Sequence, residues 1–500
     1  MNLPVVVIGG GHNGLIASAY LARGQRRVIL LEPHSSLGGL GRSDEFHPGY
    51  SSAGFLEDQG SFRPWIAKTL NLAAHGLRFA QHGPTVTLHS ADRGPMYLTG
   101  GGVTGAVQAS TQAQYATLRA QIDRFRPAIM KVLDAPPVEP LGPLLSLLGP
   151  ALKIRALGAQ DLTELIRVPP MCAADWMRDV LDDEMLGSAL VQQGLAGTWS
   201  GPWSPWSAAN VLLSMVGQHT PVVGGAPALM AALVKMIHAT KVEVRTDAAV
   251  SRIHVVDDGI KSVTLASGET IETDTVCATT DPKTTGLNLI GRRFLSADFG
   301  QQLSRIRTRG TTAFLDLALD GPVLDVEGQP IEALRTCRSL DDTEKAFDPV
   351  KYREMSTQPL VSMRVFSAGG SIQCPDGHRV ARVMIHYAPY DLNGGWTEQK
   401  RQVLLERTFN ELRSASPAIS DRIVGHRLTT PADLAERFQL SGGHIFQGEH
   451  APDQLLFMRP TIDSSRYATP VRGLFFGGGG AHPGGGLSGA PGALCAQAMR

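Results

Sequence analysis

The chain has 500 residues, more than one ordinary domain requires, and 43% of them are hydrophobic, enough for a sizeable core in two interleaved domains. Lys plus Arg equals Asp plus Glu at 46 each, which removes the electrostatic case for nucleic acid. Cys172, Cys277, Cys337, Cys374 and Cys495 are scattered with no CxxC and no close pair, which argues against a redox-active disulfide, a zinc site and a disulfide-stapled secreted fold.

Residues 4–8 (PVVVI) are an apolar, β-branched run, the composition of a buried parallel strand. The run breaks into Gly9-Gly10-Gly11-His12-Asn13-Gly14, and residues 15–22 then carry helix formers in helical rhythm. Gly9-x-Gly11-x-x-Gly14 therefore sits between a strand and a helix. Gly9 permits a tight turn, Gly11 lets the backbone approach a pyrophosphate, and Gly14 lets helix and strand pack closely. The helix start, with His12 and Asn13 in it, offers unpaired N–H groups to the anion. A second strand, 27–31, ends in Glu32, followed by Pro33; an acid there holds ribose hydroxyls and disfavours a 2′-phosphate. Gly38-Gly39-Leu40-Gly41-Arg42 is a second glycine cluster, with an arginine that can reach a phosphate. A Gly-Gly doublet with a downstream Arg at this place resembles the extended fingerprint of FAD proteins of the glutathione-reductase and amine-oxidase type. The first stretch is read as an FAD site on Gly9, Gly11, His12, Asn13, Gly14, Glu32, Pro33, Gly38, Gly39 and Arg42. The cofactor strand begins almost at the first residue, leaving no room for a cleavable signal, so a cytoplasmic location is expected.

Residues 43–60 read as a polar, glycine-rich loop over the cofactor and 64–72 as a short helix. Residues 85–89 and 95–98 read as a hairpin that begins a second sheet, and 108–133 as a helix with a kink or break at Pro127. The stretch 140–155 is apolar with basic residues at its end, but too short and too Pro-broken to span a bilayer. It is read as a helix buried in the substrate domain, with peripheral membrane contact as the alternative. Trp199, Trp203 and Trp206 either wall a hydrophobic cavity or pack a loop against the core.

From Gly224 the pattern returns to the cofactor domain: a helix to His238, a strand at 242–245, a three-stranded meander from 249 to 272, and a buried strand at 275–279. Asp281, before Pro282, reads as a turn or cap residue. Residues 311–319 and 381–387 read as strands of the substrate domain and 397–413 as an amphipathic helix. Finally, 473–480 is a strand running into glycines, and the glycine-rich stretch from Ala481 opens a last helix, a second anion-ready site for the pyrophosphate–ribityl side of FAD.

The stretch GGGHNGLIASAYLAR, the central PVVGGAPALMAAL, Asp281-Pro282, Gly443 to Glu449 (GHIFQGE), Arg459-Pro460 and GGGGAHPGGGLSGAPG together resemble the phytoene-desaturase-like FAD oxidoreductases, nearly end to end. Within them the chain is similar to the pyridine-nucleotide-disulfide-oxidoreductase-domain protein 2 group, although it lacks paired redox cysteines and a second nucleotide motif. The resemblance implies an α/β fold: a Rossmann-type FAD-binding domain interleaved with an α+β substrate domain. The first is assigned to 1–62, 216–290 and 436–500, the second to 63–215 and 291–435, with a helical insertion. It adds Val250, near the adenine, and Gly480, Leu487 and Ser488 to the cofactor contacts.

It implies hydride transfer between flavin N5 and an apolar, carotenoid- or polyene-like substrate, with oxygen or a quinone as electron acceptor. A flavin amine oxidase, or a redox-neutral isomerase or saturase using reduced FAD, is the alternative. His482, in the last glycine loop, is the candidate functional side chain, catalytic or loop-orienting; Glu449 and His444 are further candidates near the mouth, otherwise solvated loop positions. No metal site is expected, and an oligomer is compatible with the sequence.

Overall fold

Val5–Ile8 is buried along its whole length, and a short strand buried on both faces needs helices above and below it, the situation of a parallel sheet. In the computed structural model, which describes residues 3–58, 60–137, 158–218 and 220–500, it is the middle strand of a five-stranded parallel sheet. The order is Leu474–Phe476, Thr275–Ala278, Val5–Ile8, Val28–Leu31, Glu243–Arg245, with Val5 in register with Thr275 on one side and Val28 on the other. The helices His12–Arg23, Gly225–His238 and Ala490–Ala498 share one apolar core with this sheet. The first and last of these lie so close that a Cβ on Gly492 would stand 2.2 Å from the Asn13 carbonyl oxygen. A separate meander, Val250–Val256, Gly259–Leu265 and Thr270–Glu272, follows the expected hairpin signals. Its first turn has positive φ at Asp257 and Asp258, as a two-residue type I′ turn requires.

The second sheet has eight strands. Their order is Ile423–Thr429, Thr312–Leu319, Arg379–His386, Val361–Ser367, Ala333–Thr336, Val86–Ser90, Arg93–Thr99, Gly102–Gly105. All neighbours are antiparallel except Ala333–Thr336 with Val86–Ser90. A helical layer covers one end, where Ala109–Leu133, Ala173–Val180, Glu184–Leu195 and Ser207–Gly217 bury Phe125, Trp176 and Leu186 together with Leu88 and Met96 of the sheet.

Several sequence expectations change. The helix Ala109–Leu133 runs through Pro127 without ending there. A proline inside a helix costs about 3 kcal/mol, and the buried face of Leu118, Ile122, Phe125 and Met130 offsets it at about 1.5–3 kcal/mol per large side chain. The hairpin at 85–98 gains a third strand, Gly102–Gly105, and the loop 43–60 holds a small hairpin, Glu45–His47 with Tyr50–Ser51. Cys277 and Cys495, remote in sequence, lie with their sulfurs 3.7 Å apart in the buried core. The 140–155 stretch lies outside the described residues, and among those described no helix is long and apolar enough to cross a membrane.

A buried charge network ties the loop at 43–52 to the second sheet. Arg382 lies 2.7 Å from the fully buried Asp316, which also accepts from Arg427 at 3.0 Å; Arg427 and Arg437 both reach Asp44. Removing one partner of such a pair leaves an uncompensated buried charge. Asp316→Ala, which strands Arg382, is therefore expected to lower stability by about 3–5 kcal/mol, read as a lower urea midpoint with unchanged denaturant slope. A midpoint shift under about 1 kcal/mol would show that Arg382 reaches solvent.

Candidate active site

The first turn is built by exclusion of side chains. Gly9 has a φ of +103°, and a Cβ on Gly14 would stand 1.9 Å from the Gly9 carbonyl oxygen, so strand and helix meet at backbone contact. The second glycine cluster closes on the first: the Gly38 N–H donates to the Gly10 carbonyl at 2.8 Å, and a Cβ on Gly39 would come within 3.0 Å of the Gly11 Cα. Glu32 accepts from the Gly10 N–H at 2.7 Å and the His34 N–H at 3.1 Å. Burial pushes its carboxyl above the usual range, while these donors and nearby Arg42 oppose the rise. Pro33 is exposed beside it. The Glu32 carbonyl accepts from the Ala248 N–H at 2.9 Å, which brings the half-buried start of the meander at Val250 against the same edge.

This cradle suits a dinucleotide. A Cβ at Gly11 would meet nothing nearer than 3.9 Å, and one at Gly486 nothing within 4 Å, so both glycines face space although their neighbours are tightly packed. The helix His12–Arg23 has no side-chain cap, leaving its first N–H groups for an anion. Arg42 donates to Ser36 and packs on Phe438, and its Nε is buried without a protein partner. These residues would hold the adenosine and pyrophosphate end. The side chains of His12 and Asn13 face the frame. Asn13 Oδ1 accepts from the Gly492 N–H at 3.3 Å, and burial pushes the His12 imidazole, against the Gly486 backbone, down to about 4.

The last glycine loop is held by one cation. Arg459 is fully buried and donates to the carbonyls of Phe446, Gly448, Glu449, Gln454 and Gly479, and burial without a counter-ion lowers its pKa to about 9. Gly480 donates to Gln447 Oε1 at 3.0 Å, and a Cβ there would strike Pro282. Leu487 and Ser488 line a cavity with Pro483 to Gly486, and the Ser488 carbonyl accepts from the Arg63 N–H at 3.1 Å.

Two adjoining cavities share Glu57, Gln193 and Gln218 in their walls; the one against the glycine loop is called the inner chamber here and the other the outer. The inner one, about 190 Å³, lies against the glycine loop and is faced by Phe55, Leu133, Leu213, Met384, Ile445 and Leu455. The outer one measures about 260 Å³.

The three catalytic candidates stand off this cavity. His482 is fully buried behind the loop, facing the carbonyls of Val132, Leu133 and Ala135 at the end of the long helix, and burial lowers it to about 4. Glu449 and His444 are not solvated loop positions. Glu449 is 3% exposed and holds Arg309 at 2.7 Å through both carboxylate oxygens, with Arg307 at 3.3 Å. Although burial opposes it, that pairing keeps the Glu449 carboxyl below the usual range. His444 accepts from the Phe446 N–H at 3.2 Å and is lowered by burial to about 4. Asp281 caps the helical turn after it, accepting from Thr284 N–H at 2.9 Å, and holds Ser441. The tryptophans do not wall the described chambers: Trp199 packs on Phe347 under Arg309, and Trp203 and Trp206 are 40% and 44% exposed.

One residue missed by the sequence reading does line the inner chamber. His450 stacks on Phe446 with ring centroids 4.7 Å apart and planes 2° from parallel, and its Nε2 is buried without a protein partner. Burial holds it well below the usual histidine range, hence neutral. Its place directly after Glu449 was the available signal.

A glycine-built dinucleotide cradle that opens on a cavity under a largely antiparallel sheet defines a flavin-dependent oxidoreductase. The chain belongs to the flavin-containing amine oxidoreductase family, whose model matches residues 191–494, with a NAD(P)-binding Rossmann-like domain matched over residues 7–61. FAD is its cofactor. It is 31% identical to pyridine nucleotide-disulfide oxidoreductase domain-containing protein 2 of Rattus norvegicus, over 97% of this chain and 91% of that one. It is 26% identical to phytoene desaturase (lycopene-forming) of Pseudescherichia vulneris over 53% of this chain and 52% of that one. The solved structure of cyclohexylamine oxidase from Brevibacterium oxydans IH-35A shares the fold, with a TM-score of 0.62 at 15% identity across 100% of this chain and 99% of that one.

Gly11→Val should fold, since its Cβ meets open space, yet purify without FAD, read as lost absorbance near the flavin bands. Full flavin content in the variant would contradict the cradle. The buried histidines set an acid response. His12, His444 and His482 are each lowered to about 4 from 6.5, so between those values the unfolded chain takes up protons that the folded chain refuses. Stability should therefore fall as pH drops through that window, by up to about 1.4 kcal/mol per pH unit for each ring. Denaturation at pH 7 and pH 5 should give a shallower loss for His482→Gln than for the native chain.

Proposed function

We propose that this oxidoreductase dehydrogenates a carbon–carbon bond in an apolar, polyene-like substrate, with oxygen or a quinone taking the electrons onward. The observation that carries the reading is the inner chamber. Phe55, Leu56, Leu133, Leu213, Met384, Ile445 and Leu455 make its lining largely apolar, and among the described lining residues there is no lysine; its one aromatic pair, Phe446 and His450, stacks on itself and so does not cage an amine. A phytoene desaturase among the similar proteins supports the same substrate class.

FAD, when bound, supplies the two-electron acceptor. The chain's own residues supply the rest. Glu32 and the first helix turn fix the nucleotide end, and the Arg459-held loop fixes the wall beside the chamber. Phe55, Met384 and Ile445 hold the carbon framework and exclude water, which keeps a bound C–H close to the acceptor. His450, neutral and with a free Nε2 beside Gly484, takes up the proton from the neighbouring carbon. His482, Glu449 and His444 act as positioning residues: His482 braces the loop against the long helix, and Glu449 and His444 brace the segment that carries His450.

Anaerobic titration of the FAD-loaded protein tests this. Flavin bands that bleach with a polyene, and not with amines or NADH, are expected; bleaching by amines alone would give the site to amine oxidation. His450→Gln should keep its FAD and lower the bleaching rate with a polyene by about 10²-fold or more. An unchanged rate would return His450 to a packing role.

A further inference from the structure

The outer chamber differs from the inner one in its charge. Arg335, on Ala333–Thr336, and Arg364, on Val361–Ser367, both line it. Register sets Arg335 opposite Ser362 and Ala333 opposite Arg364, so the two arginines stand diagonally on one face of the sheet. Arg335 is only 7% exposed, and its hydrogen bond within the protein is from Nη1 to the Ala189 carbonyl at 3.2 Å. Arg364 has its Nε buried without a partner. Among the described residues neither guanidinium forms an ion pair.

Glu57, Asp58 and Asp123 share the wall with Arg335 and Arg364. Asp58 accepts the backbone N–H groups of Val222 and Gly60, and Asp123 pairs with Arg126 at 3.0 Å. Glu57 attracts Arg335 and Asp58 attracts Arg364, while the two guanidinium groups repel one another. Arg119 and Arg126 donate to backbone carbonyls. Buried Arg335 and half-buried Arg364 thus stand side by side on the chamber wall, where an anion would meet both guanidinium groups. A carboxylate matches the planar fork of a guanidinium, and the largely apolar inner chamber shares Glu57, Gln193 and Gln218 with this wall.

We infer that the outer chamber is a head-group site, and that the substrate is an apolar chain or polyene ending in a carboxylate. The carboxylate sits on Arg335 and Arg364, and the apolar body passes Glu57, Gln193 and Gln218 into the inner chamber. This rests on the reading of the inner chamber as the place of dehydrogenation.

The test is a fluorescence titration of the FAD-loaded protein with cis-parinaric acid, a conjugated tetraene carboxylate, and with its uncharged methyl ester. The acid is expected to bind at least about tenfold more tightly than the ester. Arg335→Gln and Arg364→Gln should each weaken the acid by about tenfold and leave the ester unchanged. Equal binding of acid and ester by the native protein overturns the head-group site while keeping the apolar chamber. Binding of neither overturns both readings. Should either variant lose its FAD, the acid-against-ester comparison on the native protein decides.

Discussion

Close approach of backbone to backbone is the constraint on which this molecule depends. Gly14 meets the Gly9 carbonyl, Gly39 meets Gly11, and Gly492 meets Asn13, in each case at a distance that leaves no room for a side chain. The three contacts bring the start of the sequence, the second glycine cluster and the helix Ala490–Ala498 into one rigid rim. Where the glycines face away from protein, at Gly11 and Gly486, that rim has the clearance a cofactor backbone needs. Packing and binding are thus set by the same residues, some of them facing inward and some outward.

Around the rim, buried charge is handled in three ways. Arg459 is neutralised only by carbonyl dipoles, which suits a clamp that must gather several loop segments at once. Arg382 has Asp316, a compact ion pair inside the sheet, and also lies 4.6 Å over the Phe55 ring, so charge and cavity wall support one another. Arg335 has a single carbonyl, that of Ala189, and Arg364 lies 5.6 Å from the Phe366 ring centroid, and among the described residues neither has an ion pair. That contrast within one protein separates cations that hold the frame from cations left facing a cavity.

Local information was legible in the sequence. The strand, the glycine turn, the helix and the strand ending in Glu32 follow one another without a gap, and the meander declared itself through Asp257-Asp258-Gly259 and Ser267-Gly268. What failed to show was contact between distant segments. His482 reads as a reactive histidine because nothing nearby in sequence reveals the helix end at Val132–Ala135 that covers it. Glu449 and His444 read as solvated because the contacts that bury them, Arg309 on Glu449 among them, come from segments distant in sequence. The tryptophan-rich stretch carries a strong aromatic signal, yet Trp203 and Trp206 spend it at the surface. Pro127 broke no helix because burial outweighed a local penalty.

The parallel sheet has a consequence for biosynthesis. Val5–Ile8 needs Thr275–Ala278 on one side, that strand needs Leu474–Phe476 on its own far side, and Ala490–Ala498 seals the first helix. A ribosome adding about 5–20 residues per second leaves the first strand waiting through most of translation before its sheet is complete. During that interval an apolar strand edge is exposed, the kind of surface that pairs with other chains. The cofactor half therefore completes its sheet only once residues from both ends of the sequence are present.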